Sequence, residues 1–372
     1  MPNHLIIVSD QPMPNLIPII SMKPAKVFML VSEQMRAKAE RIKRFLSEND
    51  IEAEEYIIEP YQMDEVESLT LSILDREPPD SIALNATGGT KISAFGAFAA
   101  FRKRGFPIFY FEPKRWEIIS LDEVKKDAVK PAAQISVKDY LALHGMKVFE
   151  EAADDEEVNS RREITSYLAE HLHESGLMPV LNSFAFKAQE KRTFPITISF
   201  EANKYYPQFN PILKKLTEAQ IIRFDPNNKS ITFPNLQSAR YLNGFWLEEY
   251  VYSVIKDLGV YDVRRNVNVS WEGSLIKNEF DVVFTNNSRL FIVSCKTAKL
   301  AKAKDFKDKN PVYELDSLKD YAAGLFGIGV LVSASPLGTE LQRRADTLKL
   351  VTMASKDMKK WLKAKLQIEI KR

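Results

Sequence analysis

The first 130 residues alternate short, almost unbroken apolar runs with longer stretches in which apolar residues return every three or four positions. The short runs predict strands at 4–9, 26–32, 53–58, 81–85 and 107–112, and the longer ones predict helices at 15–21, 34–49, 64–76 and 90–104. Strands alternating with helices of this length build crossover units on a mostly parallel sheet. The expected fold class of this region is a doubly wound α/β domain. Ligands of such sheets lie beyond the carboxyl ends of the strands, where helix N-termini and backbone N–H groups face a crevice. The loops at 9–15, 32–34 and 85–91 are therefore the places to look.

The texture changes at Pro131. An acidic run at 150–157 leads into a helical pattern at 160–175 that stops at Gly176. A second helix is predicted at 210–220, followed by strands at 221–224 and 230–233 around a turn at 225–228. Helices followed by a small hairpin read as a winged-helix-like α+β connector. From 236 onward the pattern gives a helix at 237–258, strands at 261–269, 279–285, 289–294 and 329–334, and helices at 314–324, 339–347 and 356–368. The expected organisation is thus 1–130, 131–235 and 236–372, which suits 372 residues at roughly 100–200 per domain.

Composition changes this picture in two ways. A formal net charge of +2 excludes a uniformly basic binder of nucleic acid, yet 289–372 holds 18 basic against 9 acidic residues. That local excess is the electrostatic footprint of a polyanion partner, and the lysines at 296, 299, 302, 304, 307 and 309 are suited to a phosphate backbone or to a solvated loop. Cys295 is the sole cysteine, so no intrachain disulfide forms, and no Cys and His cluster has zinc-site spacing. With no apolar run of about 18 residues and no basic leader, the chain reads as cytoplasmic and without a membrane partner. The histidines His4, His144, His171 and His173 form no pair and read as structural or surface residues.

The loop Asn85, Ala86, Thr87, Gly88, Gly89, Thr90, Lys91 follows a buried-strand run and precedes a helix. Its glycines let the backbone turn and approach a ligand, its threonines add hydroxyls, and Lys91 adds charge at a helix N-terminus. A Gly-Gly turn with Thr as helix cap is the alternative on turn chemistry alone. Neither dinucleotide-binding nor Walker-type spacing is present. Ser9, Asp10, Gln11 and Ser32 end neighbouring strands of the same predicted sheet, putting polar groups on one rim. This loop resembles the signature of the CRISPR-associated Rossmann-fold (CARF) sensor domains. The resemblance implies a Rossmann-like domain that forms a homodimer and binds a cyclic oligoadenylate across the two-fold axis, through Ser9, Asp10, Gln11, Ser32, Asn85, Thr87, Gly88, Gly89, Thr90 and Lys91.

Near the other end, Glu279 and Asp281 lie two apart on one predicted strand, and Ser294 and Lys296 two apart on the next, so each pair projects to one face. Two carboxylates beside a lysine suit phosphodiester hydrolysis: carboxylates hold a hard cation such as Mg²⁺ or Mn²⁺, and the lysine steadies an attacking water or developing charge. An acid followed at this distance by x-x-Lys resembles the PD-(D/E)xK restriction-endonuclease-like core. Ser294 occupies the slot of the second acid, and Glu279 is positioned to supply the missing carboxylate. On the predicted helix upstream, Glu248 or Glu249 sits at the edge of an apolar face formed by Trp246, Leu247, Tyr250, Val251 and Val254. The resemblance selects Glu248 and implies catalytic residues Glu248, Glu279, Asp281, Ser294 and Lys296, with metal on Glu248, Glu279 and Asp281.

Both ends together resemble the single-CARF effector nucleases of type III CRISPR systems. What this implies is a cyclic tetra-adenylate-activated endonuclease, dependent on Mg²⁺ or Mn²⁺, that cleaves or nicks DNA and/or RNA in antiviral defence. The alternative is a nuclease-inactive sensor that regulates by binding nucleic acid. No catalytic pair in either sensor loop points to degradation of the ligand by the sensor itself.

Overall fold

The computed structural model describes residues 2–121, 128–150, 155–191, 193–201, 205–297, 311–353, 360 and 363–367. Its first sheet has the strand order β3-β2-β1-β4-β5-β6, with β1 Asn3–Ile7, β2 Lys26–Val31, β3 Glu52–Ile57, β4 Ile82–Asn85, β5 Ile108–Glu112 and β6 Glu117–Ser120. The first five strands are parallel and β6 runs antiparallel at the edge. The helices α1 Met13–Met22, α2 Arg36–Glu48, α3 Met63–Leu74 and α4 Lys91–Arg104 make the crossovers. Every strand and helix expected before residue 112 is present, displaced by a residue or two at the ends.

The middle of the chain forms α6 Asp155–Ser175, α7 Met178–Lys191, β8 Ile196–Ser199, α8 Asn210–Glu218, β9 Arg223–Asp225 and β10 Ser230–Phe233. The strands pair antiparallel in the order β8-β10-β9. Three helices with a three-stranded sheet whose last two strands are a hairpin make a winged-helix-like unit. The sequence pattern had no signal for α7 or β8. Two short elements precede this unit: α5 Val137–Leu143, capped by Ser136 accepting from the Asp139 N–H at 3.1 Å, and β7 Met146–Glu150.

The C-terminal part contains α9 Leu236–Arg240, a single π-helical turn Tyr241–Phe245, α10 Trp246–Asp257, β11 Asp262–Trp271, β12 Lys277–Asn286, β13 Arg289–Lys296, α11 Pro311–Ala323, β14 Gly327–Ser333, α12 Thr339–Thr347 and β15 Val351–Met353. Its sheet runs β15-β14-β13-β12-β11-β7. The strand β7, drawn from the stretch expected to be connector, pairs with β11 and closes one edge. The single long helix expected at 237–258 is interrupted by the π turn. Most of the helix expected at 356–368, and the lysines at 299, 302, 304, 307 and 309, lie outside the described residues.

Strict alternation along β13 divides the core. Phe291, Val293 and Cys295 join α6–α10 in one apolar cluster, while Leu290 and Ile292 join α5, α11, α12 and one face of the first sheet in another. The C-terminal sheet is therefore the shared middle layer, covered by the winged-helix-like unit on one side and reaching the first domain on the other.

Candidate functional sites

At the carboxyl end of β4, Asn85 is buried and its amide donates to the Pro14 carbonyl at 3.1 Å. Its Oδ1 accepts from the Thr87 N–H at 3.1 Å and the Thr87 hydroxyl at 2.6 Å, and Thr87 Oγ1 in turn accepts from the Phe111 N–H at 2.8 Å. Thr90 caps α4 by accepting from Ser93 N–H at 3.1 Å and donates to the Pro60 carbonyl at 2.7 Å. These side chains hold the loop's shape. The glycines let it lie against β1: a Cβ on Gly88 would stand 2.3 Å from the Ile7 carbonyl oxygen, and Gly89 has φ +85° with Ile7 Cγ2 2.4 Å from where its Cβ would be. Gly89 and Lys91 are exposed.

The neighbouring residues divide. Ser9 donates to the Gln11 carbonyl at 3.2 Å, Asp10 pairs with Lys38, and Ser32 is buried where a short 3₁₀ turn begins. Gln11 faces the other domain, its Oε1 accepting from the Leu325 N–H at 3.2 Å. Ser9, Ser32 and the 85–91 loop thus stay with the first sheet's rim, while Gln11 is taken up by an interdomain contact. Lys38, on α2, had no signal in the sequence beyond its charge.

In the C-terminal domain the ladder between β12 and β13 ends at Val282 and Val293, and Asp281 lies just past that point. There its Oδ2 accepts from the Cys295 N–H at 2.6 Å and from the Ser294 hydroxyl at 3.5 Å, with Lys296 Nζ at 3.9 Å. Ser294, in the slot of the usual second acid, thus donates to the first acid. Cys295 packs in the core, where burial pushes its thiol up, so its contribution to this site is its backbone N–H.

The helix α10 separates its two glutamates. Glu249 is buried and paired with Arg161 of α6, whereas Glu248 Oε2 accepts from Asn266 Nδ2 at 2.8 Å. The same Nδ2 lies 3.3 Å from Glu279 Oε1. Burial, and then the charge of Asp281, raise the Glu248 carboxyl to about 8; burial also raises Asp281, opposed by Lys296. A half-buried carboxylate pair short of positive charge is the electrostatic situation that a divalent cation relieves. Its hard oxygen donors fit Mg²⁺ or Mn²⁺ in type. Among the described residues, however, no three His, Cys, Asp or Glu side chains stand close enough together to form a closed ligand set. Glu248 and Glu279 are joined through Asn266, and Asp281 is held apart on Cys295.

Glu248, Glu279 and Lys296 open into a cavity of about 980 Å³. Its wall includes Arg161 and Gln189 from the winged-helix-like unit and Arg240, Arg265 and Asn268 from the C-terminal domain. Asn266, Arg265 and the connector's side chains were missed in the sequence, where a strand of alternating Asn and Val carries no chemical motif.

His4 is buried and His144 half-buried, and desolvation lowers both to about 4. His4 packs on Phe109 and His144 stacks on Tyr140, while exposed His171 lies against Tyr167. None of the three approaches either site. His173 falls within α6, and its side chain lies outside the described residues.

An α/β domain with a glycine loop at its switch point is joined to a second sheet whose strands carry Glu279, Asp281 and Lys296 beside Glu248 of α10. Residues 4–140 match the family described as the Card1 CARF domain, and residues 236–368 the family described as the Card1-like endonuclease domain; the chain belongs to these CARF-domain endonucleases. Protein VC1899 from Vibrio cholerae superposes with a TM-score of 0.86 at 23% identity, covering 99% of this chain and 98% of that one. Can2 from Sulfobacillus thermosulfidooxidans, solved in complex with cyclic tetra-adenylate, gives 0.81 at 24% identity over 100% and 97% of the two chains. A type III CRISPR defence DNA nuclease activated by cyclic oligoadenylate gives 0.52 at 18% identity, covering 91% of this chain and 47% of that one. No curated protein sequence matches significantly.

Proposed function

We propose that this chain is a cyclic tetra-adenylate-activated, metal-dependent endonuclease that cuts DNA and/or RNA in type III CRISPR defence. The observation that carries the proposal is that Glu248 and Glu279, joined through Asn266, line one cavity with Lys296, whose Nζ lies 3.9 Å from Asp281, in a chain whose other end is a CARF domain. Glu248 and Asp281, with Glu279 beside them, would hold Mg²⁺ or Mn²⁺. When bound, such a cation supplies charge neutralisation at the scissile phosphate and a lowered pKa for an attacking water.

The chain's own groups do the rest. Lys296, beside Asp281 at the cavity wall, is placed to donate to the attacking water or to a non-bridging phosphate oxygen. The Cys295 N–H and the Ser294 hydroxyl fix the Asp281 carboxylate so that its second oxygen is left for substrate-side work. Arg240 and Arg265 on the cavity wall favour a polyanion.

At the other end, Gly88, Gly89, Lys91 and the rim around Ser9, Ser32 and Asn85 would receive the cyclic ligand. A symmetric ring calls for two copies of this rim about a two-fold axis. Support for a homodimer comes from exposed apolar side chains on the α3–α4 flank beside the loop: Tyr61, Met63, Ile92 and Phe95. The cytoplasm is the proposed location. Among the described residues no helix is long and apolar enough to cross a membrane.

A nuclease-inactive sensor is the second reading, favoured by Ser294 in the acid slot and by the open acid set. Metal-dependent cleavage that is lost in Asp281→Ala decides for the enzyme. Nucleic-acid binding by the winged-helix-like unit with no cleavage under any metal decides for the sensor.

A further inference from the structure

The polar group that joins the two walls of the candidate active site is an asparagine. Asn266 sits in β11 with φ +50°, a left-handed conformation that among non-glycine residues asparagine tolerates well. It lies where the pairing of β11 with β12 skips a step: Arg265 is opposite Val282 and Val267 opposite Phe280, with Asn266 and Asp281 unpaired between them. The side-chain pattern slips at the same place, since Phe280 and Val282, two apart on one strand, belong to opposite apolar clusters.

The amide is fixed from both ends. Asn266 Oδ1 accepts from Arg265 Nη1 at 3.1 Å, and Arg265 is itself buried. That bond turns Nδ2 toward the acids, where it reaches Glu248 on α10 at 2.8 Å and Glu279 on β12 at 3.3 Å. Once both are ionised, as holding a cation requires, two carboxylates drawn from different elements repel each other. A neutral donor shared between them offsets that repulsion and fixes both rotamers, without adding the charge that would compete with a cation.

We infer that Asn266 is a positioning residue: its amide, aimed by an interrupted strand pairing, holds Glu248 and Glu279 as one preset pair of cation ligands. This rests on the metal-dependent reading proposed above. Groups that orient first ligands this way typically change metal affinity 10–100-fold when removed.

The test is Mn²⁺ titration of the full chain by calorimetry, for wild type, Asn266→Gly and Asn266→Ala, with thermal unfolding measured alongside. The glycine variant keeps the left-handed backbone and loses only the amide, whereas the alanine variant keeps the strain. Expected is a Mn²⁺ Kd raised about tenfold or more in both variants, with the unfolding midpoint of the glycine variant close to wild type. In cleavage assays the Mn²⁺ concentration for half-maximal rate should rise by the same factor, and saturating Mn²⁺ should recover most of the maximal rate. Wild-type Mn²⁺ binding matched within twofold by Asn266→Gly overturns this assignment alone. A wild-type chain that binds no Mn²⁺ overturns the metal-dependent reading and this assignment with it. If Asn266→Ala fails to fold, the glycine variant decides.

Discussion

Glu248 concentrates the electrostatic cost of the candidate active site. Burial and the neighbouring Asp281 charge lift its carboxyl from 4.5 to about 8. Its protonated form is therefore favoured in the folded chain, so its contribution to stability is full below about pH 4.5 and is lost as pH rises toward 8. Metal-free protein should accordingly lose stability between pH 5 and pH 8, and Glu248→Gln should flatten that slope. Urea unfolding in chelator at pH 5, 6.5 and 8 measures it, and an identical slope in wild type and variant would contradict the assignment. Asp281→Ala should reduce Mn²⁺-supported cleavage at least about a hundredfold, above the loss typical of groups that only orient metal ligands. Single-turnover cleavage at saturating Mn²⁺ gives the number. Of the residues here, Asp281 and Lys296 were picked out by the spacing of an acid and a later x-x-Lys, while the two-apart periodicity that put Glu279 and Asp281 on one face is broken between Phe280 and Val282. Asn266 was not, because its role comes from a break in that periodicity. The backbone N–H of Cys295 was invisible for a simpler reason: every residue but proline has one.

At the scale of elements, the 85–91 loop is shaped by close packing on β1. With the Ile7 carbonyl oxygen 2.3 Å from where its Cβ would be, Gly88→Ala must displace backbone. The expected cost is about 1–3 kcal/mol, as for other overpacked sites, together with loss of cyclic tetra-adenylate binding. Denaturant melts and ligand titration of the same variant test both, and an alanine variant with wild-type stability would show that the loop is looser than its packing requires. The elements of the first domain were legible because parallel strands covered on both faces read as unbroken apolar runs. β7 and β15 were not, since their stability comes from pairing with β11 and β14, distant in sequence. α7 begins two residues after Gly176, with Pro179 in its first turn, so its start looked like a continuing break. The expected continuous helix at 237–258 failed where the chain takes a π turn between α9 and α10.

Across the whole molecule, the first sheet's rim and the C-terminal sheet are joined by the turn between α11 and β14. Leu325 N–H donates to Gln11, and Phe326 packs on Phe111 and Trp116 of the first domain. Gly324, at φ +54°, leaves its Cβ space to Gln11, whose Oε1 lies 2.1 Å from where that carbon would be. β14 then runs parallel to β13, the strand that carries Ser294 and Lys296. A second joint is formed where Arg41 of α2 makes a two-pronged bond to Glu272 just after β11. A ligand shifts an equilibrium only through differential contacts with the two states, and at this turn Gln11, at the end of the first strand, is bonded directly to the element that leads into β14. Gly324→Ala should therefore keep cyclic tetra-adenylate affinity within about twofold while lowering ligand-stimulated cleavage fivefold or more, the lower end of usual coupling energies. Stimulation equal to wild type would place the coupling elsewhere. The apolar α3–α4 flank makes a separate claim, that Phe95→Asp yields a monomer by light scattering.

The measurement that bears most directly on the central claim is cleavage of supercoiled plasmid and of single-stranded RNA by the full chain, with and without cyclic tetra-adenylate and Mn²⁺. The account predicts cutting of at least one substrate only when both are present, and its loss in Asp281→Ala. No cutting with both present, or cutting that is indifferent to cyclic tetra-adenylate, would contradict it.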